Sequence, residues 1–266
     1  MHTYTGIDHL TVALEGPVLS VTLNRPDSLN SLTEAMLTTL AATLERAAAD
    51  PRVRVVRLGG AGRGFCSGAG ISAEDQSAQA AGANVDGLLI AANRAVRSIA
   101  ALPKPVVAVV HGPAAGVGVS LALASDVVVA SETAFFMLAF TRIGLMPDGG
   151  ATALVAAAVG RIRAMRMALL AERIPARTAF EYGLVSAVHP ADELTAAADA
   201  VIDTLASGPA GALRHTKAAI NAATLTEFDA AIGRETEGQR VLLVSKDFAE
   251  GTKAFQERRP PEFADT

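Results

Sequence analysis

Three short Val-rich runs constrain the fold more than any other feature of this chain. The first carries Val53, Val55, Val56 and Leu58; the second reads PVVAVVHG over 105–112, and the third DVVVAS over 126–131. Runs of β-branched side chains bounded by glycine or small polar residues have the pattern of buried strands. Helical spacing separates them. Leu32, Met36, Leu37, Leu40 and Leu44 repeat at helix intervals before the first run, with Ser31 or Thr33 as N-cap and Glu34 in the first turn. A second helix covers residues 88–101 and is stopped by Pro103 and Pro105; another begins after Gly116. Strands alternating with helices predict an α/β chain with crossover helices packed on a sheet.

Upstream, residues 9–15 and 17–24 predict two strands with a turn at Gly16-Pro17. Residues 72–87 are polar, rich in Ala and Gly and weakly patterned, and read as a mobile loop. Helical patterns dominate from 150 onward, broken by GLVSAVHP at 183–190, one more expected strand. The division predicted is an α/β core over 1–195 and a helical C-terminal region over 196–266.

The interior must be filled with little bulk. Half the residues (50%) are hydrophobic, yet only 4% are aromatic and Trp is absent, so Ala, Val and Leu must supply the packing. A chain of 266 residues can bury roughly three quarters of its unfolded surface, so no disulfide or metal is needed to fold it. The balance of 23 basic against 27 acidic side chains, with no basic run and few stacking aromatics, argues against a nucleic-acid partner. One cysteine makes no internal disulfide and fits a reducing compartment. The first ten residues, MHTYTGIDHL, lack a basic stretch followed by an apolar one. The apolar run at 151–159 falls short of the ~18 residues a spanning helix needs. A cytoplasmic protein with no membrane partner is expected.

Three glycine-bearing loops carry the chemical information: GRGFCSGAG at 62–70 after the first Val run, HGPAAGVG at 111–118 after the second, and IGLMPDGG at 143–150. Glycine at a strand end lets the backbone approach a ligand closely, and a helix start presents unpaired N–H groups to negative charge. Two such loops can supply two donors to one oxygen, forming an oxyanion hole; each alone reads equally as a tight turn. Nucleotide motifs do not match. The second loop lacks the Gly-Lys-Ser/Thr ending of a P-loop, and neither loop matches G-x-G-x-x-G with a later acidic residue. Ser120 in GVSLA lacks the second glycine of a nucleophile elbow, so a triad with His111 and Asp126 is disfavoured. Asp148 lies between Pro147 and two glycines just ahead of an apolar helix. It reads either as a turn or capping carboxylate, or as a base whose pKa is raised at the rim of an apolar pocket.

Taken in order, these segments closely resemble the crotonase superfamily, the enoyl-CoA hydratase/isomerase family. The resemblance covers nearly the whole chain through LNRPDSLNSLT (23–33), GRGFCSGAGIS (62–72), HGPAAGVGVSLALASDVVVAS (111–131), FTRIGLMPDGGAT (140–152) and EGTKAFQERRPPEF (250–263). It implies a crotonase-like spiral of ββα units and a C-terminal helical region that builds trimers or hexamers. It implies an acyl-CoA thioester as substrate, with coenzyme A as part of that substrate, no tightly bound cofactor and no metal. The oxyanion donors fall on the backbone N–H groups of Ala69 and Val117. Adenine and phosphate contacts fall on Arg25, the Cys66–Ser67 backbone and, from a neighbouring subunit, Phe255 and Arg258.

The departures are informative. Hydratases of this family use two glutamates, and their positions correspond here to Ser120 and Phe140, neither of which is a general base. Gly70 replaces the aspartate usual after the oxyanion alanine, so a capping contact is expected to be missing. LMPDGG resembles instead the isomerases that carry an acidic residue at this place, and the dehalogenase branch also has an aspartate there. The expected activity is therefore 3-enoyl to 2-enoyl-CoA isomerisation with Asp148 as base. The alternatives are an enoyl-CoA hydratase with other groups and a non-catalytic acyl-CoA-binding protein.

Overall fold

The computed structural model describes residues 4–72, 75 and 86–264. The expected mobile loop at 72–87 lies mostly outside the described residues. The α/β expectation holds. Strands β1 (Leu10–Glu15) and β2 (Val18–Leu23) form an antiparallel hairpin about the Gly16-Pro17 turn. Helix α1 (Glu34–Ala49) leads to β3 (Val55–Gly60), and α2 (Gly87–Ala101) to β4 (Val106–Val110). After β4 come the short β5 (Pro113–Ala115) and α3 (Val117–Leu123), then β6 (Val127–Ser131) and β7 (Phe135–Met137). Helices α4 (Ala151–Val159) and α5 (Arg161–Leu170), the short β8 (Ile174–Pro175), α6 (Ala176–Tyr182) and β9 (Ala187–His189) follow. Helices α7 (Leu194–Ser207), α8 (Ala210–Thr224), α9 (Phe228–Leu242) and α10 (Lys246–Glu257) complete the chain.

The main sheet runs β1-β2-β3-β4-β6-β9, parallel from β2 onward. Its Val runs are continuous because both faces are covered, as parallel sheets require. Val56, Leu58, Val106, Ala108 and Val110 point into the large core, together with α1 and α2. Val55, Val107, Val109 and Val129 point the other way, onto Leu194, Ala198 and Ile202 of α7. The expected economy of aromatics is visible. Phe65 and Phe136 are the two phenylalanines among the largest fully buried side chains, in a core made mostly of Ala, Val and Leu.

A second layer follows the sheet one turn at a time. Leu32 pairs with Ala69, Cys66 with Ala114, and β5 with β7, all in parallel. Each circuit of the chain therefore lays a short extended segment beside the previous one, which is the spiral of ββα units. The N-cap of α1 is Thr33, not Ser31: its hydroxyl accepts from the Met36 N–H at 3.3 Å. Ser31 is used elsewhere, accepting from Arg25 and donating to Ser28. Replacing Thr33 by Ala should therefore cost about 1 kcal/mol of folding stability, measurable by chemical denaturation. Among the described residues no helix is long and apolar enough to cross a membrane.

Candidate active site

The spiral brings the first two glycine loops together. Cys66 and Ala114 are register partners on adjacent turns, and Ala69 and Val117 each lie three residues further on. Gly68 and Gly116 face one another: a Cβ on either would stand 3.5 Å from the other's Cα. Gly116 has φ 52° and ψ −129°, a conformation that L side chains rarely adopt, and only glycine holds it without strain. It ends β5 and starts α3, which makes Val117 the first helical residue. The N–H of a first helical residue has no intrahelical partner. Ala69 is in the same position for a different reason. Leu32 donates to the Gly68 carbonyl and accepts from the Gly70 N–H, so the Ala69 N–H points to the opposite side. Among the described residues neither the Ala69 nor the Val117 N–H donates to a backbone carbonyl.

Asp148 is brought to these loops by its backbone. Its carbonyl accepts from the Ser120 hydroxyl at 2.9 Å, one turn along α3 from Val117. Gly149 packs on Ser120 and Val96. The residue is 7% exposed. Its Oδ2 accepts from Gln239 Nε2 at 2.7 Å, and its Oδ1 has no partner. Burial pushes the Asp148 carboxyl up to about 7, the Gln239 hydrogen bond opposes the rise, and the nearby Glu235 charge adds to it.

The capping reading of Asp148 does not hold, because Glu235 performs that task. Gly150 is the N-cap of α4 and no side chain of the loop caps it. Glu235 reaches across from α9 and accepts from the Gly150 N–H at 2.6 Å, the Thr152 N–H at 2.8 Å and the Thr152 hydroxyl at 2.5 Å. Gly150 has φ +76°, and a Cβ there would meet the Phe228 ring of α9 at 2.4 Å. Helix α9 is thus pressed directly against the loop that carries Asp148.

Phe140 is the residue that the resemblance sets at a hydratase glutamate position. It is 6% exposed, and its ring tip is 3.8 Å from where a Gly116 Cβ would be, which fills the space beside the oxyanion loop with carbon. Phe136 and Leu138 are ordinary core side chains. The disfavoured triad does not assemble: His111 contacts the Gly62 carbonyl, and Asp126 holds the Val106 N–H and Lys217. Cys66 is buried, and desolvation pushes its thiol up to about 12, so it is no nucleophile at neutral pH.

The expected CoA contacts are placed as follows. Arg25 is paired with Asp75 at 2.8 Å and with Ser31 at 2.8 Å. The Cys66 and Ser67 N–H groups are spent on the Pro113 and Leu29 carbonyls, the Cys66 carbonyl accepts from the Ala115 N–H, and the Ser67 hydroxyl donates to the Ser28 carbonyl. Phe255 is 59% exposed on α10, and Arg258 is its exposed C-cap. The missing Gly70 side chain has a visible counterpart: the Asp75 carboxyl carbon lies 2.4 Å from where a Gly70 Cβ would be. A carboxylate therefore occupies that place, delivered from Asp75. Three residues that touch the candidate site escaped the sequence reading, namely Glu235, Gln239 and Asp75. The first two do leave a trace, since they continue the buried stripe of Phe228, Ala231 and Ile232 along α9 with polar side chains.

A groove of about 520 Å³ runs between α1, α2 and α9, lined by Leu44, Ile90, Asn93, Leu102 and Thr236 among others. None of Ala69, Val117 or Asp148 lines it. Among the described residues no group of three or more His, Cys, Asp or Glu side chains could hold a metal ion.

Comparison with known proteins agrees with this architecture. Residues 14–266 match the family model described as enoyl-CoA hydratase/isomerase. The chain is 39% identical to the 1,2-epoxyphenylacetyl-CoA isomerase of Escherichia coli K12, over 94% of this chain and 96% of that protein. It is 42% identical to a probable enoyl-CoA hydratase of Rhodobacter capsulatus, over 91% and 93% of the two chains. A crystal structure described as an enoyl-CoA hydratase from Mycobacterium avium subsp. paratuberculosis K-10 superposes with a TM-score of 0.91 at 63% identity, covering 98% of this chain and all of that one. The chain belongs to the enoyl-CoA hydratase/isomerase family of the crotonase superfamily, whose enzymes act on acyl-CoA thioesters.

Proposed function

We propose that the protein is an enoyl-CoA isomerase that uses Asp148 as its single base. The observation that carries this reading is the state of that carboxylate. It is buried, held by one donor, and has a second oxygen with no partner, while both hydratase glutamate positions hold Ser120 and Phe140. In the reaction, a thioester carbonyl oxygen accepts from the N–H groups of Ala69 and Val117. Asp148 takes a proton from C2 of a 3-enoyl-CoA, and the electron pair spreads over the dienolate to the oxygen. The same proton is delivered to C4, the double bond moves to C2–C3, and the carbonyl reforms. A base with a pKa of about 7 is matched to both halves of this cycle at neutral pH. Apolar surroundings such as Phe140 protect the dienolate from quenching by water.

Arg25, the Cys66–Ser67 backbone, Phe255 and Arg258 are the expected CoA contacts in this reading, the last two serving a neighbouring subunit. Assembly of the region 196–266 into a trimer or hexamer is supported by apolar side chains left in solvent, among them Val241, Val244 and Phe255, with Ile162, Leu169 and Leu170 on α5 adding to them. The relatives' names include both hydratases and isomerases, so the test is direct. Wild-type enzyme given 3-enoyl-CoA thioesters of several chain lengths should form the conjugated 2-enoyl-CoA, with an absorbance rise. Given 2-enoyl-CoA, it should add water far more slowly. Efficient hydration with no isomerisation would overturn the reading, as would acyl-CoA binding without turnover on either substrate.

A further inference from the structure

Helix α9 sends two buried polar side chains, one turn apart, into the loop that bears Asp148. Glu235 is spent on the start of α4, as described above. Gln239 is 1% exposed and makes two contacts with one amide: Nε2 donates to Asp148 Oδ2 at 2.7 Å, and Oε1 accepts from the Met146 N–H at 3.2 Å. We propose that Gln239 is the positioning residue for Asp148, fixing the carboxylate so that Oδ2 is held and Oδ1 is the oxygen that takes the proton. This rests on the isomerase reading of the site.

The geometry gives three reasons. The Met146 N–H sets the amide's orientation. Turned over, Gln239 would set its NH2 against another donor and its oxygen against a carboxylate, losing both bonds. Pro147 has no N–H, so the short stretch between the two contacts offers the carboxylate no donor from that residue. Ser120, the nearest hydroxyl on α3, donates to the Asp148 backbone carbonyl and does not compete for the side chain. The result is one occupied and one unoccupied carboxylate oxygen, in a loop pinned at both ends from α9.

The charged groups around this pair are few. On α9 they are Glu235, with Arg234 acting on it, the exposed Glu237, Asp229, and Arg240, which is paired with Asp86. On α2 they are Arg94 and Arg97, paired with Glu45 and Asp229. Helices α3 and α4 carry none. A donor that favours the ionised carboxylate lowers its pKa, so removing it must raise the pKa and move the acid limb of activity to higher pH.

The experiment compares wild type with Gln239→Leu and Gln239→Glu, measuring kcat and KM against pH for double-bond migration in a 3-enoyl-CoA. For Gln239→Leu, kcat should fall about 10–100-fold, because the base is no longer held in line. KM should stay within about twofold, and the acid limb should move up by about one pH unit. Gln239→Glu keeps the side-chain shape, guarding against a folding defect, and sets a second carboxyl against Asp148, so its acid limb should move up further. Acid limbs unchanged in both variants would overturn the proposal, whatever happened to rate. Asp148→Asn is run alongside: full turnover in that variant removes the isomerase reading itself. An inactive Asp148→Asn with unshifted Gln239 variants removes only the positioning role.

Discussion

Replacing Asp148 by Asn should lower the rate of double-bond migration by about 10²–10⁴-fold and leave acyl-CoA affinity within a few-fold of wild type. Asn keeps the size of the side chain and can still accept from Gln239 Nε2, so the loop should keep its place. What is lost is the oxygen that receives the C2 proton. The effect belongs in kcat, because in the proposed reading the thioester is held by backbone donors and the CoA moiety by groups elsewhere. In wild type the acid limb of kcat should fall near pH 7, since the base works only when ionised and burial has raised its pKa to about 7. The same shift has a stability signature. Between the ordinary Asp value of 3.8 and about 7, the native state keeps a proton that the unfolded state has released. Native stability therefore falls as pH rises through that window, by up to about 1.4 kcal/mol per pH unit for this group, and the cost stays in place above it. Asn does not titrate. The melting temperature of Asp148→Asn relative to wild type should thus be more favourable at pH 8 than at pH 5. A difference that does not change with pH would show that Asp148 is ionised throughout and is not poised as a base.

Much of this was legible along the chain because the relevant signals are local. The Val runs became parallel strands because their side chains are apolar on both faces, and a sheet covered on one side by α1 and α2 and on the other by α7 needs that. The glycine loops were legible because Gly116 adopts a conformation that other residues resist. The choice between Ser31 and Thr33 as the cap was not readable, since either hydroxyl fits a helix start. It was decided at a distance, by Arg25 drawing Ser31 away. The role of Asp148 was ambiguous for the same reason. An aspartate before two glycines and a helix is a good cap. Only Glu235, 87 positions further along the chain, takes that duty and leaves Asp148 over. Gln239 and Asp75 belong to this class too: their meaning depends on which loop they touch, and spacing along the chain does not encode that. Arg25 shows the converse. Its motif suggested a phosphate contact, yet its guanidinium is joined to Asp75 beside Gly70. A CoA phosphate bound at Arg25 would have to share or displace that carboxylate.

The proposed oxyanion hole predicts the second large effect, and it must be tested without a side chain to remove. Val117→Pro deletes one N–H and little else. Val117 is the first residue of α3, the helical position where proline's missing donor and fixed φ are tolerated. The hydrogen bond from Val119 N–H to the Gly116 carbonyl does not involve the deleted group. The residue before a proline is normally restricted through its Cβ, but that residue here is Gly116, which has none and already sits in an extended mirror conformation. Folding should survive with a cost of about 1 kcal/mol from the smaller side chain at a buried site. Turnover should fall about 10²–10³-fold, because the developing charge on the thioester oxygen then has one donor and not two. Far less charge rests on that oxygen in the ground state, so binding of a saturated acyl-CoA should change only slightly. Loss of rate without loss of binding, in a protein whose melting temperature is close to wild type, would place the Val117 N–H in the transition state. Wild-type turnover in a folded Val117→Pro protein would show that the thioester carbonyl lies elsewhere, and the isomerase reading would lose its electrophile.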